Sequence, residues 1–521
     1  LECPKDESGC GKRSGSTKFN FKVMSSLLMD KQKIELESLD QGKGTRKPRM
    51  SVFVEDDRAG ICEAGDDIVV TGIPKVMMID TKKNHFVYYV YANNIENVRS
   101  RENESLEPTE TELSLIREIA DNDPVRKLPN FISQHTWGMF EVKQALLLQA
   151  VGGVRRQRVD GSWRRGDIHI LLAGDPGIAK SQLVHSMARV SPISYYTTGR
   201  SSSGVGLTAS VVPPRKEGSN FGEGHWSLEA GTMVLADGGL ACIDEIDKMQ
   251  EKDRSSMHEA MENQTVSIAK AGIEATLNSR CSVLAACNPK HGKFVHGSVG
   301  IDEINLNPTL LDRFALIIKI MDIPDMDTDE ALARHIAEHG SGKNVDDDIG
   351  PELFKKFIQY CKRFEPVAND DVIDYVSTEY ANLRSTSSSG VTPRMVEDIY
   401  RLAEASARLR LSEEVCIDDA RLALDLYRKF MGQITTGEEG NIDLVALSTG
   451  ISRNKRDKLN YAMELLTDLL GDDSTVDREE YIQTIQDNIT DNEQEAEDIY
   501  NLLHNKGYIL EPVRGKKVTK A

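Results

Sequence analysis

Short apolar runs alternate with polar, turn-rich segments along the amino-terminal part of the chain. Because these runs are rich in β-branched and aromatic residues, they predict strands. The predicted strands are 19–24, 52–54, 68–70 and 86–91. Strands at this spacing predict a small β-barrel or sandwich over residues 18–100. Polar residues dominate 1–17 before it, and the charged stretch 101–124 after it is predicted to be a linker.

Beyond residue 111 the apolar residues recur at the helical period, and this pattern is interrupted by short, wholly apolar runs. Each run stops at a glycine or a polar residue, as buried strands of a parallel sheet do. These runs are 168–173, 240–243 and 282–286. Strands interleaved with helices predict an α/β domain over 125–324. Residues 325–432 are predicted to be helical, 433–440 to be a second linker and 441–521 to be helical again.

Composition excludes several classes of protein. The chain has 64 lysines and arginines against 83 aspartates and glutamates, so its formal net charge is −19. This charge argues against a protein that coats nucleic acid by bulk positive charge. No apolar run reaches the length of a membrane-spanning helix. Eight widely spaced cysteines in 521 residues are too few for a disulfide scaffold and indicate a reducing compartment.

The first apolar strand of the α/β region runs into a loop that resembles a phosphate-binding motif. The stretch GDPGIAKS nearly follows the pattern G-x-x-x-x-G-K-[ST]. In that pattern, backbone N–H groups curve around a phosphate, the lysine pairs with the β- and γ-phosphates, and the hydroxyl holds Mg²⁺. The candidate nucleotide-binding residues are Gly174, Asp175, Pro176, Gly177, Ile178, Ala179, Lys180, Ser181 and Gln182. A chance turn between strand and helix is the alternative.

One residue departs from that pattern. Ala179 stands where the motif has glycine. Its methyl group is expected to fit if the residue already has helical backbone angles.

Polar residues at two other strand ends support a catalytic interpretation of the loop. Asp244 and Glu245 follow the second apolar run, and Asn288 follows the third. An acidic pair at the end of a buried strand is costly unless it serves a metal or a proton transfer. We expect Asp244 to hold Mg²⁺, Glu245 to polarise the attacking water and Asn288 to orient it. The alternatives are a helix cap for the acidic pair and an Asn-Pro turn.

Two arginines complete the set of candidate catalytic residues. Arg313 follows a predicted helix end, and Arg394 follows the Thr-Pro pair that opens a helix. A planar guanidinium suits the charge that develops in phosphoryl transfer. A solvated arginine is the alternative for Arg313.

Four segments together resemble the minichromosome-maintenance (MCM) helicases, a group of AAA+ ATPases. They are GDPGIAKSQ at 174–182, LEAGTMVLADGG at 228–239, IDEIDKM at 243–249 and SIAKAGI at 267–273. The resemblance is close over 125–340 and weaker over 18–100 and 350–521. It implies ATP and Mg²⁺ as cofactors and a hexameric ring. It also implies that Arg313 and Arg394 act on the nucleotide of a neighbouring subunit, whereas the other candidates act within one subunit.

The resemblance also suggests which residues face DNA. Lys270 would project from a hairpin over 266–277 into a central channel, and Lys82 and Lys83 would lie at the turn of a hairpin in an oligonucleotide-binding (OB) barrel. A basic loop at 42–49 is a further candidate. Contacts of this kind go to phosphates, so we expect little base specificity and strong salt dependence. The alternative for each is an ordinary solvated lysine.

The two ends of the chain resemble smaller modules of the same family. Cys3 and Cys10 look like the remaining half of a zinc ribbon over 1–17, which would make Zn²⁺ a further cofactor. Two free cysteines in a loop are the alternative. Residues 441–521 resemble a winged-helix module in which acidic residues outnumber basic ones. A regulatory or partner-binding role is therefore as plausible there as DNA binding.

The sequence thus predicts a multidomain fold: an OB-like β-barrel with a partial zinc ribbon, an α/β AAA+ core with a helical lid, and a winged helix. The expected function is that of an ATP-dependent replicative DNA helicase, an archaeal homo-hexamer. Its expected partners are single-stranded and forked double-stranded DNA and replication-initiation and fork proteins, with no membrane. The expected location is the cytoplasm, at the nucleoid, or the nucleus for a eukaryotic member. The alternatives are an AAA+ protein remodeller or chelatase, and a non-catalytic DNA-loading scaffold.

Overall fold

The structure is a computed structural model that describes most of the chain in separate ranges. These are 29–38, 49–80, 85–98, 107–200, 204–212, 227–270, 273–294, 300–322, 324–340, 349–386, 393–435, 453–470, 475–490, 492–505, 507–513 and 516–520. The chain divides into two compact units. One comprises Leu1–Glu102 with Pro213–His225, and the other comprises Asn103–Val212 with Trp226–Ala521.

The first unit contains a four-stranded sheet. Its strands are β1 (Lys31–Glu37), β2 (Arg49–Glu55), β3 (Ile68–Asp80) and β4 (His85–Asn97), and a short 3₁₀ helix, Asp56–Arg58, follows β2. The strand order is β1-β2-β4-β3, with β2 parallel to β4 and the other pairs antiparallel. Three of the predicted strands are thereby confirmed, and each is longer than predicted. The fourth, 19–24, lies outside the described residues, and closure into an OB barrel stays a prediction.

Side-chain alternation explains which face of this sheet is buried. Along β2, Val52 and Val54 are buried while the residues between and beside them are more exposed, as the period of two requires. They pack with Cys62, Ala92 and Ile95 in a small core of their own.

The second unit contains helices, listed here in chain order. They are α1 (Glu110–Asp121), α2 (Pro124–Lys127), α3 (Pro129–Ile132), α4 (Phe140–Val151), α5 (Lys180–Val190), α6 (Gly204–Leu207), α7 (Thr232–Leu235), α8 (Glu251–Asn263), α9 (Pro308–Leu311), α10 (Met326–Gly340), α11 (Pro351–Cys361), α12 (Asp370–Thr386), α13 (Pro393–Leu409), α14 (Ile417–Thr435), α15 (Arg453–Leu470), α16 (Arg478–Ile489) and α17 (Glu493–Asn505). Two 3₁₀ helices, Ile246–Lys248 and Gly300–Glu303, accompany them.

The strands of the second unit follow in the same order. They are β5 (Arg156–Gln157), β6 (Trp163–Arg164), β7 (Ile170–Gly174), β8 (Ser194–Thr198), β9 (Ala209–Val212), β10 (Ser227–Ala230), β11 (Leu240–Asp244), β12 (Thr265–Lys270), β13 (Ile273–Asn278), β14 (Ser282–Cys287), β15 (Leu316–Ile320), β16 (Val367–Ala368), β17 (Glu414–Val415), β18 (Val476–Asp477), β19 (Ile509–Val513) and β20 (Lys517–Lys520).

A five-stranded parallel sheet is the centre of the second unit. Its strand order is β15-β7-β14-β11-β8, and every neighbouring pair is parallel. The three inner strands, β7, β14 and β11, are buried along their whole length. Helices cover both faces of such a sheet, which is why these strands appear in the sequence as unbroken apolar runs. The three strands predicted in this region are confirmed.

The helical lid follows the sheet and is joined to it by buried charged groups. Helices α10 to α14 occupy the stretch predicted to be helical. The guanidinium of Arg408 donates to the carbonyl oxygens of Val151, Gly152 and Gly153 at 3.4, 3.0 and 2.7 Å, and its Nε donates to Phe364 O at 2.8 Å. The carbonyls of Val151, Gly152 and Gly153 lie at the end of α4 and just beyond it, so a lid side chain caps a helix of the core.

The predicted linker 101–124 is helical in its second half. Helix α1 occupies the second half of 101–124, and Thr109 forms a capping box with Glu112 at its start. Glu112 also accepts hydrogen bonds from Lys356 of the lid, which with the Thr109 backbone lowers the Glu112 pKa to about 2. Because Ile116 is completely buried, this helix belongs to the packed unit.

The end of the chain forms a separate small core. Its described elements follow the order α15, β18, α16, α17, β19, β20, and the strands form an antiparallel sheet of order β18-β20-β19. Tyr481 is fully buried and donates to the carbonyl oxygen of Ala462 at 2.8 Å. Tyr500 packs edge-on against Tyr481.

Composition excluded a membrane-spanning helix and a disulfide scaffold, and the described residues bear on both points. Among the described helices, none combines the length and apolar character needed to cross a bilayer. Of the six cysteines that the structure describes, five are buried and Cys416 is half-buried, and all are free thiols. Cys3 and Cys10 lie outside the described residues.

We predict that Arg408→Met lowers the free energy of unfolding of the second unit by about 3 kcal/mol, because several buried carbonyls lose their donor together. Chemical denaturation followed by circular dichroism measures this loss. Arg421→Met is the control, since Arg421 is exposed and, among the described residues, pairs with Asp418 alone. We expect the control to change stability by less than about 0.5 kcal/mol. Equal effects of the two substitutions would contradict the capping role.

Candidate active site

The phosphate loop lies between β7 and α5, as the sequence predicts. Lys180 opens α5, and its ammonium donates to the carbonyl oxygens of Gly174 at 2.6 Å and Asp175 at 2.5 Å. Burial lowers the Lys180 pKa, which the nearby Cys287 and acidic groups partly restore. Ser181 and Gln182 follow in the first turn of α5 and are exposed. The cation thus lies inside the curve of the loop, in position to pair with phosphate oxygens.

Asp175 has a role that sequence reasoning missed. Its carboxylate accepts backbone N–H bonds from Phe294 at 2.8 Å and Asp322 at 3.1 Å, and its own N–H donates to Ile320 O at 3.2 Å. The side chain is almost completely buried. The carboxylate therefore fixes the loop to neighbouring segments. A bound ligand would contact the backbone of Asp175 and not its side chain.

Ala179 does not have the helical backbone angles under which its methyl group was expected to fit. Its φ is +60° and its ψ is 13°, in the left-handed region. Gly177, two residues earlier, also has a positive φ of +89°. A Cβ atom in this region costs about 1–2 kcal/mol. The loop therefore adopts the backbone that glycine favours, and alanine is strained in it.

The acidic pair lies at the same edge of the sheet as the phosphate loop. Asp244 ends β11, is 8% exposed, and accepts from the Glu245 N–H at 2.9 Å and from the Tyr196 hydroxyl at 3.4 Å. Glu245 has a positive φ of +50°, and its carboxylate lies 3.6 Å from Arg200. Because parallel strands all end at one edge, β7 and β11 bring Lys180 and the acidic pair together.

Asn288 lies between these two groups. It follows β14, which pairs with β7 on one side and β11 on the other. It is half-buried, and its N–H donates to Asp247 Oδ1 at 3.4 Å. The carboxyl edge of the sheet therefore gathers five predicted residues: Lys180, Ser181, Asp244, Glu245 and Asn288.

Sequence reasoning missed the residues that hold the acidic pair. The ring of Tyr196 stacks on His185 with centroids 4.0 Å apart, and burial together with Asp244 raises the Tyr196 pKa to about 12. A Cβ at Gly199 would lie 2.2 Å from the Glu245 carbonyl oxygen, so only glycine fits there. No motif in the sequence indicates these contacts, because they join neighbouring strands.

The two arginines lie at the opposite edge of the same sheet. Arg313 precedes β15, and Ala315 N–H donates at 2.8 Å to the carbonyl of His169, the residue before β7. A strand of five residues spans about 16 Å. Within one chain, Arg313 is therefore separated from Lys180 by the length of a strand.

Arg313 and Arg394 are held close together by acidic partners. Arg313 donates to Glu262 at 2.7 Å and to His258 at 3.2 Å, while Arg394 donates to Asp312 at 3.1 Å. Burial lowers the Arg313 pKa, and the neighbouring charge of Arg394 lowers it further. The core and the lid thus each contribute one arginine to a single cluster.

The predicted channel hairpin is present as strands β12 and β13. Lys270 is exposed and pairs with Ile273 at the outermost described position, while Val266 and Leu277 are buried at the base. The other DNA-facing candidates, Lys82, Lys83 and the loop 42–49 apart from Arg49, lie outside the described residues. No group of three or more potential metal ligands occurs among the described residues.

The fold and site are those of a P-loop ATPase. One edge of a parallel sheet carries the phosphate loop, an acidic strand end and the polar residue Asn288, and a helical lid follows the sheet. The family model for the MCM P-loop domain matches residues 112–339, and the MCM AAA-lid model matches 352–431. The chain belongs to the MCM family.

Named relatives agree with this assignment. The chain is 36% identical over 482 residues to the minichromosome maintenance protein MCM of Saccharolobus solfataricus, covering 90% of this chain and 68% of the relative. It is 37% identical over 442 residues to the DNA replication licensing factor mcm7 of Xenopus tropicalis, covering 82% and 60%. A Schizosaccharomyces pombe protein with the same description is 35% identical over 485 residues, covering 88% and 62%. The chain thus spans about two thirds or less of these relatives' lengths.

We predict that Ala179→Gly raises the free energy of unfolding by about 1 kcal/mol, because it removes the left-handed strain. Ala188→Gly, inside helix α5, is the matched control and should lower it by about 1 kcal/mol. Chemical denaturation of the two variants and the wild type measures both changes. If the two glycines destabilise equally, Ala179 is not strained.

Proposed function

We propose that this chain is the motor subunit of a ring-shaped, ATP-dependent replicative DNA helicase. The observation that carries the proposal is the division of the site between two edges of one sheet. The phosphate loop, acidic pair and Asn288 share the carboxyl edge, whereas Arg313 and Arg394 share the amino edge. Repeating subunits head to tail brings one subunit's amino edge to the next subunit's carboxyl edge. Such an interface forms a ring when the rotation from one subunit to the next closes.

Each carboxyl-edge residue has a role in hydrolysis. Lys180 pairs with the β- and γ-phosphates, and Ser181 and Asp244 have the oxygen ligands that suit Mg²⁺. When bound, this ion neutralises charge on the phosphates. Glu245 polarises the attacking water, and Asn288 orients it from the intervening strand. Arg313 and Arg394 of the neighbour stabilise the charge that develops on the transferred phosphoryl group.

The hairpin of β12 and β13 connects this chemistry to DNA. Lys270 is an exposed cation at its outer end, and six copies would line a channel with ammonium groups. Such groups follow a phosphate backbone without reading bases. Lys82 and Lys83 of the OB-like sheet would add a second ring of charge. Single-stranded and forked DNA are the proposed substrates, with one strand threaded and the other excluded.

The remaining modules complete the proposal. At the end of the chain the elements follow the order helix, strand, helix, helix, strand, strand, which supports a winged helix. Its proposed role is to bind replication-initiation or fork proteins. Cys3 and Cys10 are proposed to contribute to a zinc ribbon that other residues complete. The proposed assembly is a homo-hexamer. Its proposed location is the nucleoid, or the nucleus in a eukaryote.

Subunit mixing tests the shared site. Lys180→Ala and Arg313→Ala chains should each lose nearly all ATPase activity when alone. A one-to-one mixture should regain about a quarter of wild-type activity, because random ring assembly makes one interface in four complete. Mixing either variant with the Lys180→Ala/Arg313→Ala double variant should restore nothing. A mixture as inactive as its parts would show that Arg313 does not act across subunits.

Lys270→Ala tests the DNA path. We expect basal ATP hydrolysis to remain near wild type while unwinding of a forked duplex falls by about tenfold or more, because the channel loses its phosphate contacts. The control is Lys127→Ala, which removes an exposed lysine on α2. If Lys270→Ala unwinds the fork as fast as the wild type does, Lys270 does not contact the translocating strand.

The same assays separate the two alternative functions. A protein remodeller or chelatase would share the ATP site but show neither fork unwinding nor ATP hydrolysis stimulated by DNA. A DNA-loading scaffold would tolerate Lys180→Ala in the unwinding assay.

A further inference from the structure

A cavity of about 300 Å³ opens at the amino edge of the central sheet, away from the phosphate loop. Its floor is formed where strands begin, with Asp167 before β7, Leu240 in β11 and Ser282 in β14. Lys362 and Arg408 of the lid form one side of it. The cavity therefore lies between the core and the lid, and none of the proposed catalytic residues lines it.

Most charged groups that line the cavity are already paired. Arg280 forms a two-pronged bond to Asp237, with Nη2 2.6 Å from the carboxylate, and Arg408 caps the end of α4. Asp167 accepts from the side-chain amide of Gln264. The Arg155 guanidinium lies over the Trp163 ring, 4.4 Å from its centroid. The Lys362 ammonium makes no hydrogen bond, ion pair or ring contact with any residue that the structure describes.

The electrostatic surroundings of Lys362 agree with a missing counter-charge. Its pKa is lowered to about 8, chiefly by burial and also by the charge of Arg408, while Asp167 acts in the opposite direction. Arg155 and Arg280 also line the cavity. With Arg280 neutralised by Asp237, three basic residues (Arg155, Lys362 and Arg408) remain against Asp167, so the lining carries a net positive charge.

Two buried polar atoms in the lining are also unpaired. Gln149 is 2% exposed, and its amide nitrogen donates to Ile168 O at 3.0 Å and Val283 O at 2.9 Å, which fixes the orientation of the amide. Its Oε1, like the hydroxyl of Ser191, which is 4% exposed, has no hydrogen-bond partner among the described residues. Buried polar groups are normally satisfied, so these two atoms require a partner.

We propose that this cavity, called here the lid cavity, binds a phosphate group, either free phosphate or a small phosphomonoester. The anion pairs with Lys362 and accepts from the Ser191 hydroxyl, and its protonated oxygen donates to Gln149 Oε1. This arrangement satisfies all three unpaired groups at once. Since a water molecule takes about 30 Å³, the cavity also has room for a small sugar attached to the phosphate.

A ligand there would join two parts of the motor. Lys362 belongs to the lid, immediately after α11, whereas Gln149 and Ser191 belong to the core. Binding would therefore favour the lid position seen in the structure over any other. The proposal does not depend on the helicase function, since it rests on the cavity alone.

Isothermal titration of the full chain tests the proposal, with saturating Mg·ADP present so that the phosphate loop is filled. Inorganic phosphate and ribose 5-phosphate are titrated separately at constant ionic strength. We expect one site per chain. Lys362→Met should weaken binding by about tenfold or more, the loss expected for a charge-assisted hydrogen bond. Lys362→Arg should retain most of it.

Two further variants control for damage to the fold. Lys355→Met removes a lysine of α11 outside the cavity and should bind as the wild type does. Ser191→Ala removes only a hydroxyl and should weaken binding several-fold. Tighter binding of ribose 5-phosphate than of phosphate would identify a phosphomonoester, and the reverse would identify free phosphate. No binding by the wild type, or equal binding by Lys362→Met, would overturn the proposal and leave a cavity that holds only water.

Discussion

The two edges of a parallel sheet are chemically different, and this constraint organises the whole ATPase unit. Every strand of the sheet points the same way, so every strand end collects on one side and every strand start on the other. Residues for nucleotide chemistry follow the strand ends. Arg313, Arg394 and the lid cavity lie at the strand starts. The two sets are separated within one chain by the length of a strand, which is why the proposed function assigns the arginines of one chain to the nucleotide of the next.

Buried charged groups add to the apolar core that the lid and the ATPase core share. The Glu404 carboxylate pairs with Arg164 at 2.6 Å and accepts the Val154 N–H at 2.9 Å. Arg408 donates hydrogen bonds to the carbonyl oxygens of Val151, Gly152 and Gly153. Breaking such contacts one at a time leaves an uncompensated charge in a medium of low dielectric. The lid position seen in the structure is therefore stabilised by contacts that are lost together.

The sequence allowed the architecture to be predicted well where the pattern is local. Unbroken apolar runs indicate inner parallel strands, and the loop motif locates Lys180 because its spacing is fixed by the backbone. Contacts between distant segments carry no such signal. The bond from Asp312 to Arg394 joins residues 82 positions apart. The left-handed angles of Ala179 were missed because an alanine in a motif position says nothing about its own strain. The net charge of −19 excludes a coat of bulk positive charge but says nothing about local basic groups such as Lys270.

The contacts of Lys180 have a consequence for kinetics. Its ammonium is held by the carbonyls of Gly174 and Asp175, and Asp175 is itself braced by Phe294 and Asp322. The curve of the loop is thus maintained by the protein's own bonds. A nucleotide that arrives exchanges neutral acceptors for phosphate oxygens without reshaping the backbone. Nucleotide capture should therefore be limited by diffusion and access, and the slower events of the ATPase cycle should follow binding.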